Sequence, residues 1–198
     1  AERRKHMKTL VLNGSPRKNG DTVSLINVVS DSLEGDIRKV DTYFPEAEIS
    51  PCIDCRYCRD KEGCAIHDGM DAVYAYIQEC DNILVASPIY FSELTGRLLD
   101  FGSRLQTYYS ARFFQHRVPI AKPKRGAVIL VGGGDGDMGK AYDTACTLLT
   151  CMNCKEIYPL VFSHNTDKTP AVEDGSCLNG VKRIAGFFQF CRTHCAKL

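Results

Sequence analysis

Cys52-x2-Cys55-x2-Cys58, followed by Cys64, crowds four thiols into one short stretch. As thiolates these are soft ligands, and a run with this spacing can wrap one compact 4Fe–4S cube. Structural zinc more often uses two Cys-x2-Cys pairs separated by about a dozen residues or more. Cys151-x2-Cys154 is such a second pair, but it falls between a predicted helix and a predicted strand, away from the first, and reads as a buried pair. A cluster, reduced free thiols and zinc are the alternatives at this point. A disulfide framework fits poorly, because the chain has eleven cysteines, an odd number, and shows no export signal.

A second set of residues suits an anion. Leu10-Val11-Leu12 is a short apolar run that stops at Asn13-Gly14, and a polar loop follows from Ser15 to Thr22. Helical spacing then begins at Leu25, Ile26, Val29 and Leu33. A strand, a tight turn and a helix in that order aim unpaired N–H groups and a positive dipole end at the loop, which suits a phosphate. Ser15, Asn19 and Thr22 can add neutral hydrogen bonds, and Arg17 a bidentate charged one.

Spacing narrows the choice of phosphate. A nucleoside-triphosphate loop runs G-x-x-x-x-G-K-[ST]. Here five residues separate Gly14 from Gly20, and Asp21 stands where the Lys would be. A dinucleotide loop needs glycine where this chain has Pro16, so the position of Asp41, at the distance of a ribose-binding acid, is coincidence. A single phosphomonoester, as on FMN, needs only one loop and one helix end.

The elements that must position these residues alternate along the chain. Strands are expected at Leu10–Leu12, Ile37–Tyr43, Asn82–Ser87, Ala127–Val131 and Ile157–Phe162. Helices are expected after the phosphate loop, from Met70, over Leu94–Leu105, around Tyr142–Met152, and over 178–193, the last burying Val181, Ile184, Phe188 and Cys191. Residues 44–68 keep no steady period, and Tyr108–Pro123 is aromatic and irregular. Strands alternating with helices imply a parallel sheet covered on both faces. The flavodoxin-like order 2-1-3-4-5 puts the Pro159-bearing fifth strand at an edge, where a residue without an N–H is tolerated. It also sets the carboxyl ends of strands one, three and four side by side at the switch point. Those ends carry three unusual loops: Ser15–Thr22, Ser87–Phe91 and Gly132–Gly136. In the second, Pro88, Ile89, Tyr90 and Phe91 offer amides and two rings. In the third, Gly132, Gly133 and Gly134 let backbone approach a flat ligand.

Composition is that of a soluble globular protein, with 44% hydrophobic and 25% charged residues, and the chain is expected to form a single domain over residues 1–198. A net charge of +1 gives no electrostatic case for nucleic acid or a membrane surface. No apolar run is long enough for a bilayer, so a cytoplasmic protein is expected. Residues 1–6, ahead of Met7, read as an N-terminal arm or a remnant.

The loop Gly14-Ser15-Pro16-Arg17-Lys18-Asn19-Gly20-Asp21-Thr22 resembles the flavin phosphate loop of the NAD(P)H-dependent FMN reductase and iron–sulfur flavoprotein family, which often has Asn at the position of Asp21. Ser87–Phe91 with Thr95-Gly96, and the glycine run, look like the second and third flavin loops. Cys52 to Cys64 with Asp68-Gly69-Met70 resembles the cysteine-rich insert of the iron–sulfur branch, here residues 44–68. The resemblance implies phosphate binding by Ser15, Arg17, Asn19, Gly20, Asp21 and Thr22. It implies ribityl and isoalloxazine contacts from Pro88, Ile89, Tyr90, Phe91, Gly132, Gly133 and Gly134, and a cluster on Cys52, Cys55, Cys58 and Cys64. The Leu99–Arg104 helix departs from the family's usual ending and suggests no site. The implied protein is an FMN-dependent oxidoreductase, with NAD(P)H a possible co-substrate. It would pass electrons between ferredoxin or NAD(P)H and an acceptor such as flavin or quinone. A homodimer or homotetramer is expected, with Tyr108, Tyr109, Phe113 and Phe114 helping to complete a neighbour's pocket. No Ser/His/Asp or Cys/His nucleophile set is visible, and a non-enzymatic flavin- or metal-binding electron carrier is the alternative.

Overall fold

The structure, a computed structural model, describes residues 6–190. Its strands are β1 (Lys8–Asn13), β2 (Asp36–Asp41), β3 (Asn82–Pro88), β4 (Lys124–Val131), β5 (Cys154–Ile157) and β6 (Val161–Ser163). The helices are α1 (Asp21–Asp31), α2 (Tyr57–Asp60), α3 (Gly69–Glu79), α4 (Gly96–Ser103), α5 (Gln106–Phe113), α6 (Gly139–Cys151) and α7 (Gly175–Gln189). The sheet runs β2-β1-β3-β4-β5 with β6 also on β4, and every pairing is parallel. This is the flavodoxin-like order. No helix among the described residues is long and apolar enough to cross a membrane.

The central strands are apolar runs because both faces are covered. Leu10, Leu12, Ile83, Val85, Val128 and Leu130 face one core with α3, α4 and α6. Val11, Leu84, Ala86, Ala127, Ile129 and Val131 face the other with α1 and α7. Each fully buried side chain of this size stabilises the fold by about 1.5–3 kcal/mol, so the strand ends are held firmly and the loops inherit that rigidity.

Four expectations are corrected. The fifth strand is split: Tyr158 N–H still donates to Gly126 O at 2.8 Å, Pro159 and Leu160 interrupt the ladder, and β5 and β6 pair β4 separately. The Cys151/Cys154 pair lies in regular structure, Cys151 closing α6 and Cys154 opening β5. The stretch after Tyr108 is helical to Phe113, because its buried positions, Thr107, Tyr108, Ser110 and Ala111, include polar residues that hide the period. The last helix starts earlier than expected, where Asp174 accepts from the N–H groups of Ser176 and Cys177 and caps it. Cys191 lies outside the described residues.

Candidate functional site

Packing fixes the start of the first loop. Gly14 N–H donates to Ala86 O at 2.8 Å, and Gly14 O accepts from Thr95 Oγ1 at 2.8 Å. A Cβ at Gly14 would stand 2.9 Å from Leu98 Cδ2 and from Ser87 Oγ, so any larger residue must push these side chains aside. The Asn13 side chain bridges the turn. Its Oδ1 accepts from Ser15 N–H at 3.0 Å, and its amide nitrogen donates to the Asp41 carboxylate. Asp41 thus serves the loop from the end of β2. The Ser15 hydroxyl is engaged with the backbone N–H and C=O of Arg17, each at 3.1 Å.

The helix that follows differs from two others. The α3 and α7 N-termini are capped by Asp68 and Asp174, but α1 begins after Gly20 with no side-chain cap. Its open first turn faces a crevice of about 250 Å3. Asp21, the first residue of α1, neither caps that helix nor stands free: its Oδ1 accepts from Ala171 N–H at 2.8 Å.

The second wall is built from the end of β3. Ile89 N–H continues the ladder to Val131 O at 2.9 Å. Tyr90 and Glu93 then exchange two main-chain hydrogen bonds, each 3.0 Å, around Phe91 and Ser92, whose φ angles are 54° and 59°. Two central residues with positive φ make a type I′ turn, which favours Asn and Gly, and a bulky residue there is strained. The turn leaves the Phe91 ring wholly exposed. Glu93, accepting from Thr144 Oγ1 and paired with Lys140, ties the turn to α6.

The third wall is a mutual lock. Gly132 N–H donates to Ser163 O, while the N–H groups of Asn165, Thr166 and Asp167 donate to the carbonyls of Gly134, Gly132 and Gly133. A Cβ at Gly133 would sit 2.6 Å from the Asp167 carboxylate.

Of the thirteen residues expected to bind cofactor, Ser15, Arg17, Gly20, Asp21, Thr22, Pro88, Ile89, Tyr90 and Gly133 line this one crevice. Asn19, Phe91, Gly132 and Gly134 do not line it. Pro16, Val131, Thr166 and Asp167 complete the lining. Thr166 and Asp167 were missed. Their signal was the polar run Ser163–Asp167 directly after an apolar strand, at the same carboxyl edge of the sheet. Arg17 is the one cation among the described lining residues, against the carboxylates of Asp21 and Asp167.

Cys52, Cys55, Cys58 and Cys64 line a second, shallow concavity together with Arg56, Arg59, Arg104 and Ser110. None of the four is in a disulfide. Asp54 N–H donates to Cys52 Sγ at 3.4 Å, and Cys58 Sγ stands 3.4 Å from Ser110 Oγ. Among the described residues no three His, Cys, Asp or Glu side chains are grouped to hold one metal ion. Such a donor set does not fit a single zinc as it stands. The four thiols do share one concavity with three arginines around it. Cys151 is elsewhere, held by Arg112 Nη2 to its carbonyl at 2.8 Å. Burial pushes the Cys154 thiol up to about 12 and makes it inert.

A family model for NADPH-dependent FMN reductase matches residues 7–167. Curated relatives include iron–sulfur flavoproteins of Methanosarcina thermophila, 31% identical over 129 residues (64% of each chain), and of Archaeoglobus fulgidus, 31% identical over 133 residues (66% of this chain, 56% of the relative). The match thus spans less than two thirds of either relative's length. Among solved structures, an NAD(P)H:quinone oxidoreductase from Methanothermobacter marburgensis superposes with a TM-score of 0.66 at 14% identity, over 93% of this chain and 96% of that one. An FMN-dependent NADH-azoreductase from Bacillus anthracis in complex with FMN superposes with a TM-score of 0.61 at 13% identity, over 93% of this chain and all of that one. At such identities these two structures show a shared fold. By the match over residues 7–167, the chain belongs to the NADPH-dependent FMN reductase family of oxidoreductases.

Proposed function

We propose that the crevice binds FMN and that the protein is an FMN-dependent oxidoreductase. It would move electrons between NAD(P)H or a ferredoxin-type donor and an acceptor such as a flavin or quinone. The observation that carries this is the convergence of the uncapped α1 N-terminus, Pro88–Tyr90, Gly133 and Thr166–Asp167 on one crevice at the carboxyl edge of the sheet. The first-turn N–H groups of α1 and the Arg17 guanidinium would take the phosphate. Main chain at Ile89, Tyr90 and Gly133 would flank the ribityl chain and ring. Bound there, FMN supplies hydride and single-electron chemistry, and the protein supplies position and electrostatics. Releasing the ligand by denaturation and chromatographing it should give FMN. Recovery of FAD, or no flavin uptake on reconstitution, would overturn the assignment. Arg17→Ala should weaken FMN far more than riboflavin, which has no phosphate.

A 4Fe–4S cluster on Cys52, Cys55, Cys58 and Cys64 is the second part of the reading. It is supported by the shared concavity and by the iron–sulfur flavoprotein relatives. Tyr109, Phe113 and Phe114 are exposed, the Phe113 ring stacked on Tyr109 with centroids 4.3 Å apart and the Phe114 ring edge-on to Tyr109, whereas Tyr108 is buried. We assign this aromatic face to self-association; a monomer by light scattering at micromolar concentration with FMN bound would contradict it. Steady NAD(P)H turnover with an acceptor separates the enzyme from a non-enzymatic electron carrier.

A further inference from the structure

Arg104, at the junction of α4 and α5, is among the largest fully buried side chains. Its Nη1 donates to Ser50 O at 2.8 Å and to Asp68 Oδ2 at 2.7 Å, and its Nη2 donates to Ile66 O at 2.9 Å. Ser50 precedes Cys52, and Ile66 and Asp68 follow Cys64. One guanidinium therefore clasps both ends of the stretch that carries the four cysteines. Asp68 is fixed in turn by the N–H groups of Ser50 and Met70, both at 2.9 Å, and the Tyr74 hydroxyl holds the Arg104 carbonyl at 2.7 Å.

These bonds use three of the guanidinium's five N–H groups and leave one of its nitrogens with no bond at all. Arg104 Nε is buried and has no hydrogen-bond partner, and an unmet buried donor is destabilising until an acceptor arrives. The same side chain lines the concavity of the four cysteines. A guanidinium stays protonated throughout the physiological pH range. A permanent cation thus stands beside a place built for thiolates.

We propose that Arg104 is the positioning residue of the cysteine site and that its Nε–H is the donor to an anionic sulfur, thiolate or sulfide, of the cluster held there. The proposal rests on the cluster reading above. A buried cation and one N–H on sulfur both favour the more negative, reduced state, so they raise the cluster's reduction potential as well as its retention.

The test uses full-length protein purified and reconstituted without oxygen, with iron, sulfide and FMN assayed per chain. The unaltered protein should carry about four irons, the content of one cubane; absence of iron would overturn the cluster reading and Arg104's role with it. Arg104→Lys keeps the charge but loses the fork. It should bind FMN normally, lose iron to a chelator about tenfold faster, as sites that lose a hydrogen bond to a ligand commonly do, and show a lower cluster potential. Iron retention and potential equal to the unaltered protein's would refute Arg104 alone. A measurement without any variant guards against misfolding: arginine labelled with 15N at Nε should show hyperfine coupling to the reduced cluster in pulsed EPR. No coupling in iron-loaded protein would also refute it.

Discussion

The crevice and the cysteine stretch are fastened to the same sheet by different means. Every wall of the crevice is locked by main chain: Gly14 to Ala86, Ile89 to Val131, Gly132 to Ser163. The cysteine stretch is closed by one main-chain bond, Gly69 N–H to Glu48 O, and otherwise hangs on side chains. Arg104 grips its ends, Ser103 Oγ accepts from Cys52 N–H at 2.9 Å, and Gln115 donates to the carbonyls of Cys58 and Lys61. A site built on ladder bonds survives the loss of any one side chain that lines it. A site held chiefly by a few side chains, Arg104 foremost, does not, and the two should fail independently.

The largest effect should come from Asp68→Asn. Arg104 is fully buried and the Asp68 side chain is 13% exposed, so the substitution leaves a buried cation without its counter-charge. Breaking such a pair costs about 3 kcal/mol, the low end for this class because the amide oxygen can still accept. Proteolysis between Cys52 and Cys64 should accelerate while FMN stays bound; simultaneous loss of flavin would show the two sites to be one cooperative unit. Acid should act in the same direction. Burial opposes ionisation of Asp68, but Arg104 and the N–H groups of Ser50 and Met70 hold its carboxyl below the usual value. The native pKa is the depressed one, so the contribution is present above the unfolded value of about 3.9 and is lost as pH falls through the native pKa. Thiol accessibility in this stretch should therefore rise at acidic pH before the crevice opens.

Gly14→Ala tests the other side. The new methyl would meet Leu98 and Ser87 at 2.9 Å and Thr95 at 3.0 Å. Overpacking of this kind costs about 2 kcal/mol. The melting temperature should drop and FMN affinity fall about tenfold, equivalent to 1.4 kcal/mol, with cysteine reactivity unchanged. Undiminished affinity would show that the turn adjusts elsewhere.

Asp21→Asn removes a charge beside the expected phosphate while keeping an oxygen for the Ala171 N–H. Two unit charges roughly 5 Å apart repel by about 3 kcal/mol at an effective dielectric near 20. Solvent and Arg17 reduce this to ~1 kcal/mol, so FMN should bind about five times more tightly at low salt, and less so as salt rises. Unchanged affinity at low salt would mean that the Ala171 bond already turns the charge away.

The same contrast explains what the sequence made legible. Strands β1, β3 and β4 are buried on both faces and so appear as apolar runs, and Pro159 marks an edge because it can stand only where a ladder bond is missing. The three loops follow from strand order. Arg104 does not announce itself: a lone arginine in an amphipathic helix reads as solvated, and its partners lie 36 to 54 positions away in sequence. The partnership of Asp21 with Ala171, 150 residues on, is hidden for the same reason. Contacts that repeat along the backbone leave a period, and single long-range side-chain bonds leave none.

The smallest expected effect lies in the strained turn of the second wall. Phe91 and Ser92 both have positive φ, and the Phe91 ring is 101% exposed, so it contributes no burial to offset the strain. Phe91→Asn places a residue that tolerates the left-handed region without glycine's entropic cost. The gain should be about 0.5 kcal/mol, within the range for relieving one such residue, read as a small rise in the denaturation midpoint. Phe91 does not line the crevice, whereas its neighbour Tyr90 does. FMN affinity should therefore stay within about twofold, a difference of ~0.4 kcal/mol. A stability gain together with a large loss of FMN affinity would show that the strain is retained to hold the ring against the ligand. The second wall would then depend on a side chain, as the cysteine stretch does, and the division between the two regions would fail at this turn.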